Sequence, residues 1–425
     1  MARDSKYPVS VKAGKPILSS LPHGWHLISL EKCLNLENRK VDVLNDQEYD
    51  LVTVKRSRGG VVRREHLKGK DISVKSQFYI HEGDFLISKR QIVHGACGIV
   101  PKELSGSIVS NEYCVMTGKP GFHLPYMEFL SETLYFQQTC FHSSIGVHIE
   151  KMIFKVENWF KWQFNIPPIS EQKKIAKILF TWEKTIGTTE QLLANSQKQK
   201  KALMQQLLTG KKRLLDSNGV RFSGEWVHGR LGELCTFKGG SAFKEEYQGH
   251  SEGDLPFIKV SDMNLRGNEK YIDYANNWLT NQAAKELKAK AFPKDTIVFA
   301  KVGAALLLNR RRILLRPTII DNNMMAAIPT KFGDTEFIYQ LMLAVDFAKF
   351  VQEGAVPSVN QGDLASFKIS YPEKEEQQKI AAVLSTAEQE ITALQQKLDA
   401  LKQEKKALMQ QLLTGKRRVK VEEAA

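Results

Sequence analysis

Two stretches of the chain carry the apolar periodicity of long amphipathic helices. In residues 375–419 the apolar side chains recur at steps of four and three, which predicts a coiled-coil seam. Its members are Ile380, Leu384, Ala387, Ile391, Leu394, Leu398, Leu401, Leu408 and Leu412, with Lys405 as the interruption. Residues 170–214 carry a weaker seam of Ile175, Leu179, Trp182, Ile186, Leu193, Leu203 and Leu207, interrupted by Thr189, Ser196 and Lys200. Each stretch ends at Thr-Gly-Lys, where Gly210 and Gly415 are placed to cap a helix of about 40 residues, or roughly 60 Å.

The two predicted helices are copies of one sequence. KKALMQQLLTGK occupies residues 200–211 and recurs at 405–416, and 24 of the 44 positions from 171 to 214 are identical at a constant offset of 205. Fainter matches in the preceding segments pair Trp25 with Trp226 and Asn111 with Asn322. A repeat of this length indicates a duplication, so we expect two related halves.

The segments outside the helices have the pattern of strands and turns. Short runs rich in Val, Ile, Phe and Tyr alternate with polar residues and are separated by Gly, Asp, Asn and Pro, while residues 335–352 predict a helix. We therefore predict an α+β fold, with two pseudo-symmetric mixed α/β domains separated by two long antiparallel coiled-coil helices. The predicted boundaries are 1–21 for a leader that is loose unless it docks, 22–168 for the first domain, 169–214 for the first helix, 215–372 for the second domain, 373–419 for the second helix and 420–425 for a tail.

The antiparallel pairing follows from the chain order. A domain of this size has a radius of gyration near 15 Å, much shorter than the helix that leaves it, so the second domain must lie at the far end of the first helix. The second helix then returns toward the first domain. If the helix ends align, facing residue numbers add up to about 587, which places Lys405 opposite Trp182 in a cation–π contact and Lys200 opposite Ala387.

The charge of the chain favours a polyanionic partner. The net charge is +14, and residues 170–214 hold ten basic and three acidic residues, whereas 375–419 hold eight and six. Duplex DNA or an acidic protein along the first helix would explain the excess, and a solvated helical face is the simpler alternative. No apolar run approaches the ~18 residues of a membrane span, and the N-terminal stretch lacks a signal peptide, so we expect a cytoplasmic protein without membrane contact.

Enzymatic and metal chemistry find little support in the sequence. There is no GxxxxGK[ST] phosphate loop, and Asn165-Ile166-Pro167-Pro168-Ile169 departs at two positions from the Asn/Asp-Pro-Pro-aromatic motif of methyltransferases. The five cysteines are odd in number and form no CxxC pair, which argues against a disulfide framework. A zinc site would have to use His94, Cys97, Cys114, Cys140 and His142, whose spacing does not match structural zinc sites, so we expect no metal.

Basic clusters in both domains are candidates for DNA contact, because Arg can pair with phosphates and with guanine edges. The first domain contributes Lys55, Arg56, Arg58, Arg63, Arg64, Lys89 and Arg90, and the second contributes Lys301, Arg310, Arg311, Arg312 and Arg316. Three consecutive arginines cannot all face a core, so at least some of residues 310–312 should be exposed. A solvated charged hairpin is the alternative for the first cluster.

The ends of the two helices repeat most perfectly. Met204 and Leu208 in the first copy correspond to Met409 and Leu413 in the second. Two equivalent patches of this kind are expected to dock two identical partners. Packing between the helices alone is the alternative interpretation.

The order of domain, junction, long helix ending in LMQQLLTGK, second domain, junction and second helix resembles the specificity (S) subunit of type I restriction–modification systems. The junctions are IPPISEQKKIA (166–176) and YPEKEEQQKIA (371–381). The domains add YDLVTVKRSRGG, GDFLISKR, GIVPKELSGSIVSNEY and, in the second half, GAVPSVNQGDL. The resemblance covers residues 22–419.

This resemblance implies a non-catalytic subunit with two target recognition domains, which reads an asymmetric bipartite DNA target. The implied partners are double-stranded DNA, two methyltransferase (M) subunits and restriction (R) subunits. The chain itself is expected to bind no cofactor, with S-adenosylmethionine, ATP and Mg on the partner subunits. Two rivals stay open: a coiled-coil scaffold that binds DNA without sequence preference, and a self-contained DNA enzyme, which would need a cofactor motif that the sequence lacks.

Overall fold

The structure, a computed structural model, describes residues 8–12, 14–351 and 357–421. The predictions for residues 1–7 and 13 of the leader, for 352–356 in the second domain and for 422–425 of the tail lie outside the described residues. The chain divides into two compact units: unit 1 is Met1–Thr189 with Lys397–Ala425, and unit 2 is Glu190–Gln396. Each long helix contributes its first half to one unit and its second half to the other.

Two helices dominate the α-helical content. They are α5 (Ile169–Leu207) and α11 (Lys374–Leu413), of 39 and 40 residues. Both end in a turn that leads to a glycine with positive φ, Gly210 at 71° and Gly415 at 68°, as the Thr-Gly-Lys motif predicts. The shorter helices are α1 (Val9–Lys12), α2 (Tyr126–Leu130), α3 (Leu134–His142), α4 (Val156–Trp159), α6 (Leu231–Leu234), α7 (Asn281–Glu286), α8 (Ala304–Leu307), α9 (Thr335–Ala344) and α10 (Gln361–Ser366).

The strands of unit 1 form two main sheets. In chain order they are β1 (His26–Ser29), β2 (Leu34–Glu37), β3 (Lys40–Val41), β4 (Glu48–Val54), β5 (Val61–Lys68), β6 (Gln77–Tyr79), β7 (Phe85–Ser88), β8 (Cys97–Ile99), β9 (Ile108–Ser110), β10 (Tyr113–Gly118), β11 (Ser144–Ile145), β12 (Ile153–Phe154) and β13 (Gln163–Ile166). The sheet orders are β2-β10-β7-β8 and β3-β6-β9-β4-β5, with β1-β13 and β11-β12 as separate pairs. The β4–β5 hairpin places Lys55, Arg56 and Arg58 at its turn and Arg63 and Arg64 on β5.

The strands of unit 2 are β14 (Val227–Arg230), β15 (Cys235–Gly239), β16 (Leu255–Ile258), β17 (Tyr271–Ile272), β18 (Asn277–Leu279), β19 (Ile297–Ala300), β20 (Arg312–Leu314), β21 (Ile319–Ile320), β22 (Met324–Pro329) and β23 (Lys368–Tyr371). Their sheets run β15-β22-β19-β20-β17, β18-β16-β21 and β14-β23. The order β2-β10-β7-β8 of unit 1 therefore recurs as β15-β22-β19-β20, and β1-β13 recurs as β14-β23. The predicted pseudo-symmetric pair of mixed α/β domains is confirmed.

Each long helix packs into the core of both units. In unit 1, Ile175 and Leu179 of α5 and Leu412 of α11 are buried with Trp25 and Trp159. In unit 2, the core takes in Leu207 and Leu208 of α5 and Ile380 and Leu384 of α11. Burial of such side chains contributes about 1.5–3 kcal/mol each. The apolar seam that pairs the two helices therefore also packs each helix against the globular part of each unit.

The seam lysines define the antiparallel register within each unit. Lys405 Nζ lies 2.9 Å from Glu183 Oε1 in unit 1, and Lys200 Nζ lies 2.9 Å from Glu388 Oε1 in unit 2. The predicted facing residues were Trp182 for Lys405 and Ala387 for Lys200. Each ammonium instead reaches the carboxylate of the next residue along the partner helix. The predicted stacking of Lys405 on Trp182 was wrong in its partner: the ring under Lys405 is Phe129, 5.7 Å away.

The described part of the leader is docked on unit 1. Helix α1 packs against α3, and Gln138 Nε2 donates to the Gly14 carbonyl oxygen at 3.2 Å. Asn165 Nδ2 donates to the Ser19 carbonyl oxygen at 3.0 Å. These contacts hold the leader beside the core.

Candidate nucleic-acid interface

The turn between β4 and β5 is a rigid support for basic side chains. The Lys55 amide donates to the Gly60 carbonyl at 3.0 Å and closes the turn. Ser57 and Arg58 adopt left-handed backbone conformations, with φ of 55° and 54°. Their amides donate to the carbonyls of His94 and Gly95 at 2.7 and 2.9 Å, which anchors the turn on the segment that follows Arg90. The turn that carries residues 55–58 is thus held on the segment that follows Lys89 and Arg90 in the chain, and Arg56 also bonds to Gln91 there.

Arg56 in the turn and Arg90 beside it both have acidic partners. Arg56 donates from Nη2 to Glu150 Oε2 at 2.9 Å and from Nε to Gln91 Oε1 at 2.7 Å. Arg90 forms a bidentate pair with Glu112, at 2.6 and 3.1 Å, and this hydrogen bonding raises the pKa of Arg90. Both arginines are about half exposed. Exposed ion pairs contribute little to stability, so a phosphate could replace these carboxylates at little cost.

Two further arginines of the predicted cluster, Arg63 and Arg64, lie on β5. Arg63 pairs with Asp50 on β4 at 2.8 Å, and Arg64 lies 3.5 Å from Glu65. Both are half exposed on an edge strand of the five-stranded sheet. The hairpin therefore presents guanidinium groups along its length.

Three basic candidates of unit 1 have backbone partners or open surroundings. Lys55 is exposed. Arg58 is half-buried and donates weakly to the Ser131 carbonyl at 3.4 Å, and Lys89 Nζ donates to the Asn111 carbonyl at 2.7 Å. A carbonyl does not neutralise a cation, so these groups keep their charge for an anion.

In unit 2, two of the three consecutive arginines converge on one turn. Arg310 is exposed, and its Nη1 donates to Asn264 Oδ1. Arg312 is half-buried and donates from Nη2 to the Met263 carbonyl at 2.9 Å. Burial lowers the pKa of Arg312. These two side chains and the turn at residues 263–264 form the candidate contact surface of unit 2.

Arg311 does not belong to that surface, which corrects its prediction as a DNA contact. The side chain is 1% exposed, and its guanidinium lies 3.6 Å from the centroid of the Phe347 ring. Nη2 donates to Asn309 Oδ1 at 2.6 Å, while Nε has no hydrogen-bond partner among the described residues. Burial lowers the pKa of Arg311 to about 9. The Phe299 and Phe347 rings hold Arg311 inside unit 2, whereas its neighbour Arg310 is exposed.

The other two candidates of unit 2, Lys301 and Arg316, have different partners. Arg316 pairs with Asp273 at 2.8 Å. Lys301 occupies the place in unit 2 that Lys89 occupies in unit 1, because each directly follows the equivalent strand, β19 or β7. The Lys301 amide donates to the Asn323 carbonyl at 2.9 Å, and the Lys89 amide donates to the Glu112 carbonyl at 2.9 Å. The duplication has therefore kept a lysine at the same position of both sheets.

The predicted partner patches are mostly core. Leu208 is 6% exposed and Leu413 is 7% exposed, each inside the core of its unit. Met204 and Met409 are half-buried against the same cores. Leu208 and Leu413 are therefore corrected to packing residues. Periodicity could not show that the second apolar stripe faces the domain rather than a partner.

A pair of ionic clasps was missed in the sequence. Arg213, just after α5, forms a bidentate pair with Glu376, near the start of α11, at 2.7 and 2.7 Å in unit 2. Arg418, after α11, pairs with Glu171, near the start of α5, in unit 1, where Trp25 Nε1 also donates to Glu171 at 3.2 Å. The signal was present in the repeat, since each pair is the other displaced by 205 residues.

The cysteines are placed for packing rather than chemistry. All five are free and buried. Burial raises the pKa of Cys33 and Cys114 to about 11 and that of Cys97 and Cys235 to about 12. Among residues 8–12, 14–351 and 357–421, no three or more His, Cys, Asp or Glu side chains are grouped to hold a metal ion.

In the same described ranges, none of the helices combines the length and the apolar composition that a bilayer-spanning segment needs.

Comparison with known proteins gives a consistent result. The family model described as "Type I restriction modification DNA specificity domain" matches residues 23–195 and again 223–403. The MjaVIII specificity subunit of a type I restriction enzyme from Methanocaldococcus jannaschii is 23% identical over 426 residues, 94% of each chain. The EcoR124I/EcoR124II specificity subunit of Escherichia coli is 24% identical over 241 residues, 54% of this chain and 56% of that one.

Solved structures agree in fold. The crystal structure of the type I restriction–modification S subunit from M. genitalium superimposes with a TM-score of 0.57 at 14% identity. The superposition covers 94% of this chain and 98% of that chain. The likeness therefore extends over both units.

Proposed function

The chain belongs to the type I restriction–modification DNA specificity family, and we propose that it reads an asymmetric bipartite DNA target, one half-site with each unit. The observation that carries this proposal is the presence of two matching specificity domains on one duplicated pair of helices. Because the helical parts are alike and the domains have diverged, the two half-sites should differ. Two recognition domains in one chain combine two weak half-site contacts into one specific interaction with DNA.

The basic surfaces support this assignment. Unit 1 offers the β4–β5 hairpin with Lys55, Arg56 and Arg58 at its turn, and unit 2 offers Arg310 and Arg312. Arg63, Arg64, Lys89, Arg90, Lys301 and Arg316 remain proposed contacts at the margins of these surfaces. Phosphate contacts position a duplex and base contacts specify its sequence, so both kinds are expected here.

We also propose that the chain is non-catalytic and acts with partners. Its role would be to place two M subunits, and R subunits with them, on the target. S-adenosylmethionine, ATP and Mg would then be bound by those subunits. The buried, unreactive thiols and the missing phosphate loop fit this division.

Adenine methylation in cells tests the function directly. The chain would be co-expressed with the M subunit from the same genome, and methylated adenines would be mapped across the host DNA. We expect one asymmetric bipartite motif with a fixed gap, absent when the chain is omitted. A stable complex that methylates no motif, or only a contiguous one, would refute the proposal.

A further inference from the structure

The first half of α5 presents a row of lysines on one exposed face. Lys173, Lys177 and Lys184, together called the lysine face, follow the spacing i, i+4 and i+11, which keeps them on one side of a helix. All three are exposed and line one shallow groove with His123, Pro125, Ala176, Phe180 and Thr181. At 1.5 Å per residue, the row extends over about 16 Å.

No acidic residue of this helix segment neutralises the lysine face. The only acidic residues in 169–189 are Glu171 and Glu183, and both are engaged at the seam, by Arg418 and Lys405. Within the part of the chain that the structure describes, no ion pair involves the three lysines. Burial, and then the charge of Lys173, lower the pKa of His123, as expected beside uncompensated positive charge.

The duplication did not keep these lysines. At the offset of 205 they correspond to Gln378, Ala382 and Gln389, all exposed on α11. The segment 169–189 holds four lysines and two acidic residues, whereas 374–394 holds two lysines and four acidic residues. The seam and the clasps are the same in both copies, so packing of the helices does not require the positive face.

We propose that the lysine face binds the phosphate backbone of duplex DNA, without reading sequence, next to the half-site read by unit 1. This rests on the proposed function, which brings a duplex to that unit. A row of one sign over about 16 Å matches roughly five base-pair steps of duplex DNA. Lysine is a point charge suited to phosphate rather than to base edges.

The lysine face is also tied to the hairpin surface through one element. Phe180 packs edge-on against Phe129 of α2, with ring centroids 4.7 Å apart. The residue that caps α2, Ser131, accepts the hydrogen bond from Arg58 of the hairpin turn. Both basic surfaces of unit 1 are thus carried by α2, which favours a single duplex as their shared ligand over an acidic protein.

The salt dependence of DNA binding tests this proposal. Each neutralised phosphate contributes about 0.9 to the slope of log affinity against log salt, so Lys173→Gln/Lys177→Gln/Lys184→Gln should lower the slope by about 2 to 3 between ~50 and ~200 mM salt. The full chain would be titrated with two duplexes, one carrying the mapped motif and one lacking both half-sites. The preference for the motif should persist, because the lysine face reads no bases.

A matched triple variant controls for net charge. Lys397→Gln/Lys406→Gln/Lys416→Gln removes three exposed lysines of the same unit outside the lysine face and should leave the slope near that of the parent. Equal losses in the two triple variants, or an unchanged slope in the first, would overturn the proposal. An unchanged slope combined with loss of the M subunit on co-purification would assign the face to an acidic protein instead. A parent chain that does not distinguish the two duplexes would count against the proposed function, not against the lysine face.

Discussion

The clasp of unit 2 should be a large contributor to its stability. Arg213 is 21% exposed in its side chain, while Glu376 is 0% exposed and receives both hydrogen bonds of the guanidinium fork. The pair also raises the pKa of Arg213, through the hydrogen bond first. Arg213→Ala would leave a buried carboxylate without a counter-charge.

The size of the loss follows from that burial. Removing one partner of a buried ion pair costs about 3–5 kcal/mol, which is a large part of the ~5–15 kcal/mol that holds a domain folded. The equivalent Arg418→Ala should cost less, because Arg418 is 40% exposed and Trp25 remains as a donor to Glu171. Adding Glu376→Gln to Arg213→Ala should recover part of the loss, since no buried charge is then left.

Urea unfolding of the full chain measures these differences. Circular dichroism and tryptophan fluorescence would be followed together, because the two units need not unfold in one transition. The predicted order of stability is parent, Arg418→Ala, the double variant Arg213→Ala/Glu376→Gln, then Arg213→Ala. An Arg213→Ala chain within ~0.5 kcal/mol of the parent, or a double variant no more stable than Arg213→Ala, would refute the reasoning.

Three further predictions concern single positions. Burial raises the pKa of Glu128 from 4.5 to about 7, so between these pH values the folded chain holds a proton that the unfolded chain releases. The free energy of unfolding should therefore fall as the pH rises from 4.5 to about 7. In urea titrations above that range, Glu128→Gln should abolish the trend and add about 1–3 kcal/mol to the free energy of unfolding. Gly415→Ala should lower the Tm more than Gly210→Ala, because a Cβ at 415 would lie 2.7 Å from Pro22 Cβ, whereas one at 210 would lie 3.2 Å from the Trp226 ring; equal Tm values would contradict this. Arg311→Met should keep or raise the Tm, since it replaces a buried cation that lacks a carboxylate partner among the described residues, and a lower Tm would speak against that account.

The sequence predicted the parts of the fold that depend on local periodicity and on the repeat. The two long helices, their capping glycines and their antiparallel pairing follow from apolar spacing and from the constant offset. The two seam lysines pair with carboxylates one residue beyond the positions predicted to face them, because a lysine side chain reaches past the backbone position opposite it. Sheet order was not predictable, since strands of two to eight residues pair with partners far along the chain, as β10 does with β2.

The candidate interface was predictable in composition but not in orientation. Arg310, Arg311 and Arg312 are adjacent, yet only contacts from Phe299 and Phe347 turn the middle residue inward. The hydrophobic pattern likewise placed Leu208 and Leu413 on an apolar stripe without revealing that the domain covers it. Tertiary packing decides both outcomes, and one sequence does not encode it in any short window.

Each unit is proposed to read its own half of the target. The test is the methylation motif of two variants, Lys55→Ala/Arg56→Ala in unit 1 and Arg310→Ala/Arg312→Ala in unit 2, each co-expressed with the M subunit. We predict that each variant weakens or relaxes one half of the motif and leaves the other half and the gap unchanged. Changes in both halves from either variant, or an unaltered motif at unaltered efficiency in both, would contradict the assignment.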